Sequence, residues 1–180
     1  MKPAPLASIV CTTALLLAAC GESPREGRPA AARGAGAPAA ALPAGLVERG
    51  PAEGLAVVEC KSKAKQGDTV TVVGRIGGSE EPFNAQRAVF TIVDASLPDC
   101  NAGKDDHCKT PWDYCCEDPK RLRECSATIE IAGPDGKPLA LAVRGMQGLD
   151  PSATIAVTGT IVEKNDEGVL VVRAQKIQVR

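Results

Sequence analysis

Aromatic side chains are scarce in this chain: two Phe, one Trp and one Tyr among 180 residues. Sites for single-stranded nucleic acid stack bases on aromatics inside a basic groove. The groove is missing too, since 21 Lys and Arg face 22 Asp and Glu for a formal net charge of −1. No charge field gathers nucleic acid or anionic lipid. Histidine occurs once, at His107 beside Cys108, and no oxyanion loop is recognisable, so a nucleophilic Cys–His arrangement has little to stand on. No C-x-x-C exists, which removes thioredoxin-like exchange, haem attachment and the common zinc knuckle. The Gly-rich RIGGS (75–79) lacks the Lys-Ser/Thr of a phosphate loop, and Asp105-Asp106 lacks the alternation and distal Glu of a calcium loop. These absences together predict a protein that is not an enzyme.

Long hydrophobic runs are also missing. The one apolar stretch begins at Leu6 and ends at Ala19, shorter than the roughly 20 residues that cross a bilayer. One early positive charge, Lys2, followed by such a run predicts a signal peptide over 1–19. Leu17-Ala18-Ala19-Cys20 followed by Gly21 resembles the lipobox of bacterial lipoproteins. That resemblance implies lipidation at Cys20 and an exported, membrane-anchored protein facing the periplasm or cell exterior, since several acyl chains on one residue give stable anchoring.

Cysteine is what the chain does have, eight in all. With Cys11 removed and Cys20 lipidated, Cys60, Cys100, Cys108, Cys115, Cys116 and Cys125 remain. In an exported chain six cysteines favour disulfides, whereas the same six in a cytosolic chain would favour metal or catalysis. All six are disulfide candidates, and the sequence selects no pairing.

Residues 20–54 are mostly Ala, Gly and Pro, which predicts a flexible tether ahead of a domain over 55–180. Within the domain the apolar pattern has period two, the signature of strands. TVTVVGRI (69–76) and AVFTIVDAS (88–96) are the first two strands. ATIEI (127–131), the turn GPDGKP (133–138) and LALAV (139–143) read as a hairpin. RGMQGLDPS (144–152) has room for a helical turn, and TIAVTGTIV (154–162) and GVLVVRAQKIQV (168–179) end the series. Antiparallel strands in this number avoid exposed edges by closing into a barrel. The order resembles the OB-fold: an all-β, five-stranded barrel with a Cys-rich insertion (97–125) between strands 2 and 3. An open β-sandwich is the alternative.

GRIGG (74–78), PF (82–83), FTIVD (90–94) and CKTPWDYCCE (108–117) further resemble a group of exported bacterial proteins with an OB-like barrel and a PWDYCC-type insertion. The resemblance implies a fold and no chemistry. Two functions of different class follow from the residues. In the first, disulfides shape the insertion, each loop closure contributing on the order of 3 kcal/mol. Phe83, Trp112 and Tyr114 are then presented to an envelope protein, a peptide or a glycan, with no cofactor and no nucleic acid. Cys115 and Cys116, read as extended neighbours, point to opposite faces and take different partners. In the second, His107, Cys108, Cys115 and Cys116 bind zinc or copper.

Overall fold

Period-two patterning becomes a closed ladder in the computed structural model, which describes residues 41–102 and 108–180. The elements are β1 (Val47–Arg49), β2 (Leu55–Ala56), α1 (Val57–Lys63), β3 (Thr69–Ile76), β4 (Val89–Val93), α2 (Pro119–Glu124), β5 (Ser126–Glu130), β6 (Thr154–Lys164) and β7 (Leu170–Val179). Five of them close a ring. β3 pairs antiparallel with β4 and with β6, β4 with β5, and β6 with β7, while β5 and β7 run parallel. This is an OB-like barrel, and closure excludes the open sandwich. Alternate residues turn inward as the pattern demands: Val72, Ile76, Phe90, Ile92, Ile129, Val157 and Ile177 are all 1 % exposed or less. The longest pair, β6 and β7, bends through two register shifts, the first between Thr158 and Gly159. A Cβ placed on Gly159 would lie 2.1 Å from the Arg173 carbonyl oxygen, so only glycine lets the two strands approach there.

Two expectations change. The tether was expected to run to residue 54, yet β1 already pairs with β7 through Val47–Ile177, and β2 lies parallel to β3. Leu46 and Val47 explain it, being adjacent apolar residues in a stretch rich in Ala, Gly and Pro, and both buried. The segment 139–143 does not form a hairpin strand; a single bridge joins Ala132 and Pro138. Both edges of β5 are already occupied, by β4 and by β7, so a hairpin partner has no edge to join. The segment turns over the core instead, burying Val143 and packing Leu139 and Leu141 against it. The helical turn expected within 144–152 is present as a three-residue 3-10 turn, Met146–Gly148.

A helix comes from a stretch assigned to no element. α1 carries Val57 and Cys60, both wholly buried, three apart and therefore on one face toward the core. Its N-terminus has no local side-chain cap. Asp94, just beyond β4, serves from a distance: its Oδ2 accepts from Val58 N at 2.9 Å and its Oδ1 from Ser96 N at 2.9 Å. Burial pushes this carboxyl up, but those donors outweigh it and hold the group below the usual carboxylate value. Lys61 then ties α1 to two other segments, donating to the carbonyls of Arg123 (2.7 Å) and Gly168 (2.6 Å).

Candidate thiolate site

The insertion leaves β4 and is anchored to the barrel before any cysteine cluster forms. Arg75, near the end of β3, donates from Nη1 to Asp99 Oδ2 at 3.2 Å and from Nη2 to the Leu97 carbonyl. Its guanidinium also lies 5.9 Å from the centre of the Tyr114 ring, within cation–π range. Trp112 fixes the loop on a second side, its ring N–H donating to the Glu80 carbonyl at 3.0 Å and its own carbonyl accepting from Gly78 N at 2.8 Å. The approach is tight: a Cβ on Gly77 would lie 2.5 Å from the Trp112 carbonyl oxygen. Beyond the cysteines, α2 starts with Asp118 accepting from Lys120 N and Arg121 N, with Pro119 at its first position.

Between these anchors the chain turns sharply. Asp113 accepts from Thr110 Oγ1 at 2.9 Å through Oδ2 and from Cys115 N at 2.9 Å through Oδ1, an Asx-type turn. Tyr114 sits at φ +56°, in the left-handed region, and its carbonyl accepts from Glu117 N at 3.0 Å. Cys115 and Cys116 are therefore the two central residues of a turn. The expectation of an extended pair with opposed side chains is corrected: their sulfurs lie on one side, 3.9 Å apart.

Cys100 and Cys108 complete the group. The sulfurs of Cys100, Cys108, Cys115 and Cys116 all lie within 4.8 Å of one another. No two of the six described cysteines are bonded in this structure. A zinc–sulfur bond of about 2.3 Å puts the edge of a tetrahedron at about 3.8 Å, close to the Cys115–Cys116 separation. A mononuclear four-thiolate site thus fits the arrangement with little rearrangement. Two of the four thiols, Cys100 and Cys115, are pushed toward the protonated form. The hydrogen bond with Asp113 pushes the Cys115 thiol up, followed by that with Cys116, and burial pushes up Cys100. A metal ion would displace these protons as it bound. Asp113 is itself held low; burial opposes this, but the Cys115 N–H and Thr110 hydroxyl outweigh it.

Set against the expected site residues, the geometry regroups them. Cys108, Cys115 and Cys116 come together as the metal reading required, and Cys100 joins them. His107 lies outside the described residues, as does Cys20. Cys60 and Cys125 stand apart from the four, Cys60 within the barrel core and Cys125 at the end of α2 packed with Val93, Leu97 and Tyr114, and burial raises both thiols. The display of aromatics is corrected. Tyr114 is 2 % exposed and Phe83 is 7 % exposed, packed against Phe90 with the rings tilted and their centres 5.5 Å apart. Apolar rings with a core to enter do so, and here Leu97, Val93 and the barrel supply one. Trp112 is half-buried with its N–H already occupied.

Cys100 is the member of the cluster that sequence reasoning did not place in the candidate metal set. Its separation from Cys108 matches no common spacing, but the Asp two residues before Cys115 was a legible turn signal. No family model, curated protein or solved structure matches this chain.

Proposed function

We propose that the protein is an exported, lipid-anchored barrel of the cell envelope whose insertion holds a thiophilic metal ion, zinc or copper(I), on Cys100, Cys108, Cys115 and Cys116. One observation carries the reading: four sulfurs from a single loop lie within 4.8 Å of one another. Soft thiolates select zinc and copper(I) over calcium and magnesium. The barrel supplies the rear wall, through Arg75, Gly77 and Gly78. Lipidation at Cys20 and export rest on the N-terminal residues alone, and no helix among the described residues is long and apolar enough to cross a membrane.

The test is intact mass, thiol titration and elemental analysis on one sample of the mature full-length chain, purified from cells expressing the complete sequence. The expected result is one zinc or copper per chain, with four thiols that become reactive only after a chelator removes it. Two disulfides among the four cysteines with no metal would overturn the reading and make the insertion a stapled loop.

A further inference from the structure

The four sulfurs are not equivalent. Cys100 is 7 % exposed and Cys108 is intermediate, whereas Cys115 and Cys116 are both exposed. Behind the cluster the chain is fixed. Cys100 N donates to the Pro111 carbonyl at 3.1 Å, and the Trp112 carbonyl is held by Gly78 N. Tyr114, which turns inward at the residue immediately before the exposed pair, packs with Val93 and Leu97. Its left-handed backbone lets the chain bury residue 114 and project 115 and 116 outward. A site with one covered and tethered ligand, one half-covered ligand and an exposed pair on a turn differs from a closed structural site, whose ligands all face inward.

Resting on the metal reading above, we infer that the site exchanges its ion, passing it through the Cys115–Cys116 edge to an incoming thiolate or imidazole donor. The step is a ligand substitution. The donor's lone pair forms a bond to the metal while the bond from Cys116 or Cys115 sulfur breaks, and the released thiolate takes a proton from solvent. The oxidation state of the metal does not change. Cys100 and Cys108 hold the ion until a second donor arrives.

The experiment loads the mature full-length chain with zinc(II) under reducing conditions and follows transfer to the chromogenic chelator 4-(2-pyridylazo)resorcinol by stopped flow. The transfer rate is expected to rise in proportion to chelator concentration, because the chelator attacks the bound metal directly. Cys116→Ser is expected to retain one zinc and release it several-fold faster, while Cys100→Ser loses stoichiometric zinc. A rate independent of chelator concentration would overturn the inference, since opening of a closed site would then limit release. Equal behaviour of the two variants would overturn it too. Failure of the underlying metal reading looks different: the wild-type chain would take up no zinc at all.

Discussion

Replacing Asp94 tests the claim that a residue outside α1 holds that helix on the barrel. The carboxylate is 3 % exposed and accepts from Val58 N and Ser96 N, each at 2.9 Å. Hydrogen bonds to a charged group contribute about 1.5–3 kcal/mol each, and loss of a helix cap costs about 1 kcal/mol. Asp94→Ala removes both acceptors and should cost about 2–4 kcal/mol, with some recovery where water reaches Val58, which is 45 % exposed. Asp94→Asn keeps one acceptor oxygen and turns an amide donor toward the other N–H, so about 1–2 kcal/mol is expected. The sign with pH follows from the depressed native pKa, below the ordinary 3.8. A carboxyl that binds protons more weakly when folded stabilises the native state above its unfolded pKa, and that stabilisation disappears as pH falls through the folded value. Urea unfolding of wild type and Asp94→Asn should therefore differ by a constant amount between about pH 5 and 8, and converge below about pH 4. A difference unchanged at low pH, or none at neutral pH, would refute the assignment of Asp94 as a charged cap.

Two glycines give sharper steric tests. Gly159→Ala puts a methyl 2.1 Å from the Arg173 carbonyl oxygen, and backbone rather than a flexible side chain must move. Thermal unfolding should show a loss of roughly 3 kcal/mol or more, or no folded protein; a near-neutral result would mean that β6 and β7 are not this close. Gly77→Ala places a methyl 2.5 Å from the Trp112 carbonyl oxygen and should lift the insertion from the barrel, shifting emission of the sole tryptophan and weakening zinc binding while the far-UV spectrum of the barrel persists. Unaltered emission and affinity would show that the insertion does not dock there.

The barrel was legible because its information is local and periodic. Val72, Gly74 and Ile76 on β3, or Phe90 and Ile92 on β4, alternate along single strands and face one interior. What could not be read was decided by pairing between distant segments. LALAV has a strand's composition, but whether it pairs depends on free edges of β5, and both are occupied by residues far away in sequence. β1 and β2 are too short to show a period and exist because β7 and β3 offer them edges. α1 offers only Val57 and Cys60 on its inner face, and its cap comes from a residue 36 positions later. Similarly, the cysteines were visible while their grouping was not, because a single left-handed residue, Tyr114, converts an alternating pair into a pair that shares one side.

That conversion explains why the insertion occupies this place on the barrel. A short loop with few apolar residues cannot bring four sulfurs together unaided, since ordering each residue costs about 1–2 kcal/mol of conformational entropy. Here the cost is divided. Arg75 receives Leu97 and Asp99 at the start, Gly77 and Gly78 receive Trp112 in the middle, and Tyr114 enters the small apolar cluster of Val93, Leu97 and Cys125. These contacts gather at the ends of β3 and β4 or just beyond, where the barrel presents the Arg75 guanidinium, the Gly78 N–H and the Val93 side chain. The same contacts stop short of Cys115 and Cys116. The barrel side of the insertion therefore holds Cys100 in place, while Cys115 and Cys116 stand on a turn at the surface.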